Sequence, residues 1–226
     1  MQNYSVKSLY KFFTQQKEGL WVMQWPNPQV LYDFVRKHPM KRVLDLGTGI
    51  GLSASIISLA LRDKGEKDYE VHTVEQFEKC HKLAQEIIPV ELKEGITFHL
   101  SEPIVWQTDK VPYQYFSVFK ELPEGDFDFI LTDGPGPYLE DGKNIDLPNG
   151  DVMKMLLEDR ISSGNYCAWD GRISAIKTFE RYFGENFYLV QSGDGSDFNV
   201  IERKEGSLKY EDAKMKAIEG IGYFKP

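Results

Sequence analysis

Apolar residues in this chain fall into short unbroken runs separated by stretches with a three-to-four-residue period. Strands buried on both faces, alternating with amphipathic helices, have this pattern. A helix is expected over 5–16. A second follows in NPQVLYDFVRK, with Asn27 as N-cap, Pro28 in the first turn and Val30, Leu31, Phe34 and Val35 as its apolar stripe. RVLDLG then reads as a buried strand, 52–62 as a helix, and YEVHTV as a strand ending at Glu75. In QFEKCHKLAQEII, Phe77, Cys80, Leu83, Ala84, Ile87 and Ile88 share one helical face, and Pro89 stops the helix. ITFHL is the next strand, the aromatic segment 113–119 is expected to be helical, and FDFILT is another strand. A long loop over 134–150 leads to a helix opening at Asp151. NYCAW, a helix from Arg172 to Phe183 closed by Gly184, and the pair FYLVQ and FNVIER around the glycine-rich SGDGSD complete the series.

Repeated β-α alternation closed by a hairpin specifies a three-layer α/β fold: a doubly wound, mostly parallel sheet with a C-terminal antiparallel hairpin. At 226 residues the chain suits one domain, with 1–27 as a helical N-terminal extension, 28–204 as the core and 205–226 as a tail. A formal net charge of -8 disfavours nucleic acid as a partner. Two cysteines, Cys80 and Cys167, are too few for a disulfide framework and read as small core residues in a reducing compartment. Lys7 and Lys11 interrupt the apolar residues of the N-terminus, and no stretch is long enough to span a bilayer, so a cytoplasmic protein without membrane contact is expected; a homo-oligomer is compatible with all of this.

Open parallel sheets bind ligands beyond the carboxyl ends of their strands. There the segment VLDLGTGIGLSAS places Gly47, Gly49 and Gly51 behind Asp45. Three alternate glycines make a tight strand-to-helix turn, and they also let another group approach the backbone. A dinucleotide fingerprint would need a small residue at 52, where the chain has Leu52. A carboxylate at 45 would repel a pyrophosphate but suits a ligand carrying an ammonium group. Glu75, ending the next strand, can accept hydrogen bonds from ribose hydroxyls or stand at a helix N-terminus.

The order strand, Asp45, Gly47-x-Gly49-x-Gly51, helix, strand, Glu75 resembles the class I S-adenosylmethionine (SAM)-dependent methyltransferases over roughly 28–204. That resemblance implies SAM as cofactor. It implies that the turn of Asp45, Gly47, Thr48, Gly49 and Gly51 holds the methionine part and that Glu75 holds the ribose. Phe77 and Glu102 would flank the adenine. Phe77 also begins an apolar helical stripe, and Glu102 is placed by position alone.

The remaining chemistry concerns the acceptor. Asp133, in LTDGPGPY, departs from the Asp/Asn-Pro-Pro-aromatic pattern of amino-group methylases. Metal-dependent O-methyltransferases carry one Asp after the strand corresponding to 127–132 and an Asp-Asn pair after that corresponding to 165–169. Here Asp133 and Asp170 match, but Gly171 replaces the Asn. The resemblance therefore implies methylation of an oxygen on a small-molecule acceptor, with Asp133 and Asp170 as catalytic candidates and a divalent cation such as Mg²⁺ as an option they leave open. The competing readings are helix capping by the two aspartates, an amino-group methylase, and a SAM-binding scaffold without transfer. Tyr138, Lys143, Asn144 and Arg172 are candidate acceptor contacts, with 134–150 as a lid.

Overall fold

The computed structural model describes residues 4–16, 22–136, 138–140, 143–191 and 197–209. Its centre is a seven-stranded sheet in the order β10-β11-β9-β6-β1-β2-β3. These strands are β1 (Arg42–Leu46), β2 (Glu70–Glu75), β3 (Ile96–Leu100), β6 (Phe129–Thr132), β9 (Tyr166–Asp170), β10 (Phe187–Gln191) and β11 (Phe198–Arg203). β1 pairs in parallel with β2 and β6, and β3 and β9 extend the parallel set, whereas β11 runs antiparallel to both β9 and β10. The doubly wound sheet with a reversed C-terminal strand is thus as expected.

Each central strand feeds two cores, because alternate side chains leave opposite faces. Val43, Val71, Phe129, Leu131 and Ala168 pack on one side, against α1 (Val6–Thr14), α2 (Asn27–Lys37), α3 (Leu52–Lys64) and α4 (Glu78–Ile87). Leu44, Leu46, Val74, Ile130 and Trp169 pack on the other, against α6 (Asp151–Leu157) and α7 (Ile173–Phe183). α3 is buried continuously from Leu52 to Leu61, so even its serines need partners. Ser53 donates to Asp45 at 2.9 Å, and Ser58 donates to the Leu92 carbonyl, in the short helix α5 (Val90–Lys93), at 2.7 Å.

Two local expectations fail. Residues 113–119 are not helical but belong to β5 (Val111–Phe119), which pairs antiparallel with β4 (Pro103–Thr108) around the two-residue turn Asp109–Lys110. Aromatic and β-branched residues favour the pleated surface, and the hairpin delivers Phe116, Val118 and Phe119 to the second core. Asn27 is not an N-cap: α2 begins at Asn27, Pro26 takes the cap position, and no side chain caps the helix. The Asn27 side chain is used elsewhere.

The connection over 134–150 contains a small hairpin, β7 (Tyr138–Glu140) and β8 (Lys143–Ile145). Residues 210–226, most of the expected tail, lie outside the described residues. No helix among the described residues is long and apolar enough to cross a membrane.

Candidate functional site

A cleft of about 290 Å³ opens beyond the carboxyl ends of β1, β2, β6 and β9. Its walls combine Gly47, Gly49, Glu75 and Phe77 with Asp133, Asp170 and Arg172, and Met23 and Phe119 supply apolar surface. Five of the residues expected to carry chemistry on sequence grounds are carboxylates or glycines that share this one space.

The glycine turn is built by backbone hydrogen bonds. The N–H groups of Gly47 and Thr48 both donate to the Val74 carbonyl, at 2.9 and 3.1 Å, which ties the turn to the end of β2. Gly47, Gly49 and Gly51 have φ of 105°, 52° and 102°, in the left-handed region. What approaches them differs. A Cβ on Gly47 would lie 2.5 Å from the Gly134 nitrogen and 2.8 Å from the Asp133 carbonyl carbon, so the loop after β6 needs that space. A Cβ on Gly51 would strike the Ile88 side chain. Gly51 permits helix packing, Gly47 permits two loops to touch, and Gly47 and Gly49 line the cleft.

Glu75 is buried, and its carboxylate braces the turn. Oε2 accepts the Gly49 N–H at 2.7 Å, and Oε1 accepts those of Gln76 and Phe77, both at 2.9 Å. Burial raises its pKa against these three bonds, which favour the anion. Each carboxylate oxygen accepts about two bonds, so Oε2 retains capacity toward the cleft. Phe77 is 42% exposed at the N-terminal end of α4 and forms cleft wall, not core. Cys80 is buried, and it too lines the cleft.

Asp45 lies beneath the turn and does not line the cleft. Its register partner Thr73 donates to Oδ2 at 2.8 Å beside the Ser53 bond, and its buried Oδ1 has no partner among the described residues. Burial pushes its pKa up to about 7. Thr48 is likewise buried, 2.5 Å from Thr73 Oγ1. Glu102 is not brought to the cleft at all: it starts the β4–β5 hairpin, exposed, with its carboxylate 2.6 Å from Lys120. The hairpin turns the chain away immediately after β3.

Asp133 and Asp170 both line the cleft. Arg172 Nη2 donates to the Asp133 carbonyl and lies 3.4 Å from Asp133 Oδ1. The Asp133 pKa is raised, first by burial and then by the Asp170 charge, with Arg172 opposing. Asn27 Nδ2 donates to Asp170 Oδ1 and, at 2.6 Å, to Asp197 Oδ1. Burial raises Asp170 most, the Asn27 bond lowers it, and Asp197 raises it again. Asn27 and Asp197 are the cleft residues that sequence reasoning did not find, since an Asn-Pro at a helix start and an Asp in a glycine-rich loop both have ordinary local explanations. Among the described residues no three His, Cys, Asp or Glu side chains are grouped to hold a metal ion. The side chains of Tyr138, Lys143 and Asn144 lie outside the described residues.

The fold recurs in solved structures. An SAH-bound methyltransferase of Podospora anserina, PaMTH1, superimposes with a TM-score of 0.59 at 14% identity, over 90% of this chain and 89% of that one. The chain shares the fold of that methyltransferase. The O-methyltransferase TomG of Streptomyces achromogenes, involved in tomaymycin synthesis and solved with SAM, and the O-methyltransferase of Bacillus cereus, solved with SAH, each match with a TM-score of 0.58 at 13% identity. In both cases the match covers 91% of this chain and 92% of the other. No protein-family model matches the chain, and no curated protein does.

Proposed function

We propose that the protein is a SAM-dependent methyltransferase acting on an oxygen of a small-molecule acceptor. The observation that carries this reading is that the glycine turn, Glu75 and Phe77 share one cleft with Asp133, Asp170 and Arg172; we take the first group as its cofactor end and the second as its acceptor end.

The residues of the first end fit the cofactor. Glu75 Oε2, fixed by the Gly49 N–H, has acceptor capacity for ribose hydroxyls, and Phe77 offers an exposed aromatic face for adenine. The Gly47–Gly49 backbone lies open where the methionine part would sit. Asp45 supports this end through the turn, by holding Thr73 and Ser53 beneath it. When bound, SAM supplies an electrophilic methyl group on a sulfonium.

At the second end, Asp133 takes the proton of the acceptor hydroxyl. With its pKa pushed up to about 8, Asp133 in its carboxylate form is a stronger base than an ordinary carboxylate. Asp170, held by Asn27, fixes the far wall, and Met23 with Phe119 excludes water from the acceptor. Catalysis then comes chiefly from holding the acceptor oxygen in line at near-attack distance.

Calorimetric titration with S-adenosylhomocysteine and with NADH tests the cofactor assignment: the first binds and the second does not. A product-mass screen with methyl-labelled SAM over hydroxylated metabolites tests the reaction, with the label expected on oxygen. Label on nitrogen would move the reading to an amino-group methylase. Absence of S-adenosylhomocysteine binding by folded protein would end it.

A further inference from the structure

We infer that Arg172 supplies the positive charge at the acceptor end of the cleft, in the place where a divalent cation would neutralise two aspartates, and that methyl transfer here needs no metal. This rests on the methyltransferase reading above and concerns its acceptor half.

The donor set does not fit a divalent cation. A metal needs carboxylate lone pairs converging on one point without competing donors. Asp133 is instead met by the Arg172 guanidinium, and Asp170 by the Asn27 amide N–H from the N-terminal segment. Both Asn27 contacts are made by Nδ2, while its Oδ1 has no partner among the described residues, so the amide acts toward these carboxylates as a donor.

Gly171 leaves Asp170 without a neighbouring side-chain ligand. The metal-dependent enzymes that the chain resembles have an Asn at this position. Here φ is +66°, and a Cβ would fall 2.9 Å from Asp197 Oδ2. The Asp197 carboxylate, just before β11, would have to move aside for a side chain at 171.

Arg172 is well placed to take over the charge. It stands at the N-cap position of α7, its side chain one-third exposed and lining the cleft. Its only side-chain hydrogen bonds among the described residues use Nη2, so Nε and Nη1 keep N–H donors for another oxygen. A guanidinium N–H matches an oxygen that is gaining negative charge.

The transfer balances without a further reactant. The acceptor O–H proton passes to the Asp133 carboxylate, the O–CH₃ bond forms, and the CH₃–S bond breaks with its electron pair left on sulfur. A sulfonium and a carboxylate become a neutral thioether and a carboxylic acid. The guanidinium stabilises the oxygen while its proton is leaving.

Manganese binding, followed by calorimetry and by the loss of the free-ion electron paramagnetic resonance signal, tests the inference without needing an acceptor. Wild-type protein, with and without S-adenosylhomocysteine, is expected to show no saturable binding. Arg172→Ala is expected to gain a saturable site that Asp133→Asn in the same chain removes. Saturable binding by wild type that Asp133→Asn abolishes overturns the inference, as does an Arg172→Ala variant that remains silent to manganese. With the acceptor returned by the mass screen, transfer is expected to survive exhaustive EDTA treatment. It should fall at least 100-fold in Arg172→Ala and recover partly in Arg172→Lys. Loss on EDTA treatment that Mg²⁺ restores overturns it. The S-adenosylhomocysteine titration of wild type is a separate measurement, so failure of the cofactor reading shows there and not in the manganese result.

Discussion

Substituting Gly47 by Ala separates two reasons for a glycine that the sequence alone confounds. Gly65, the C-cap of α3, provides the reference, because its φ of +91° is close to the +105° of Gly47 and a Cβ there would meet nothing within 4 Å. Gly65→Ala therefore reports the left-handed backbone cost alone, about 1–2 kcal/mol. Gly47→Ala carries that cost and more. Its Cβ would lie 2.5, 2.8 and 2.9 Å from backbone atoms of Gly134 and Asp133, which no rotamer change can relieve. The loop after β6 must retreat. It is held by the Asp133 and Gly134 N–H groups, both donating to the Leu46 carbonyl at 2.8 and 2.6 Å. Losing those bonds adds about 1 kcal/mol each. The expected loss is about 3–4 kcal/mol for Gly47→Ala, about twice that of Gly65→Ala. Urea unfolding measures both, with equal m-values required for the comparison. Calorimetry with S-adenosylhomocysteine adds a second contrast: Gly65→Ala retains wild-type affinity, and Gly47→Ala loses it as Asp133 and Gly134 shift. Equal destabilisation by the two substitutions would refute the role given to loop contact.

Other expectations address single side chains. Glu75→Ala should weaken S-adenosylhomocysteine binding by about 2–4 kcal/mol, roughly 30- to 700-fold, with a smaller loss in Glu75→Gln; unchanged calorimetric affinity in a folded variant would remove Glu75 from the site. Asn27→Ala removes the amide that bridges Asp170 and Asp197 and should cost about 1–3 kcal/mol. Without that bond the Asp170 pKa rises further, so the folded protein holds a proton that the unfolded chain releases. The loss should be greater at pH 8 than at pH 5, and a pH-independent difference in Tm would contradict this. Asp151 is fully buried and accepts the Phe119 N–H at 3.0 Å, while burial pushes its pKa up to about 8. Between about pH 4, where the unfolded group titrates, and about pH 8, the folded state binds more protons, so stability falls as pH rises. Asp151→Asn removes that dependence, and its Tm advantage over wild type should widen from pH 5 to pH 8; parallel curves would show that Asp151 does not titrate in this way.

Much of the architecture was legible because it is encoded locally. The apolar run of β1 and the alternate glycines after it are local patterns, as is the three-to-four spacing of α4 from Cys80 to Ile88. Where two local readings competed, local information misled. Segment 113–119 has apolar residues that satisfy either period, and only the β4 strand opposite it decided for β5. Phe77 could begin a helix stripe or end a loop. The packed sheet left it in the cleft wall.

The sequence by itself determined that Asp45, Gly47 and Glu75 would cluster, since each stands at or just past a strand end and parallel pairing aligns those ends. It likewise determined that Asp133 and Asp170 would stand at the same edge of the sheet, since each lies at or just past the carboxyl end of its strand, and β6 and β9 pair in parallel. Tertiary structure alone decided how these groups are paired. Asn27 reaches Asp170 across 143 residues and Asp197 across 170, and no periodicity records a polar bond over such a distance. The fold also turned Asp45 downward, onto a threonine directly opposite it in register, and closed the position at Gly171 with Asp197. Backbone geometry sets where a strand ends, but the partner of a buried charge depends on which side chains the completed packing brings within hydrogen-bond reach.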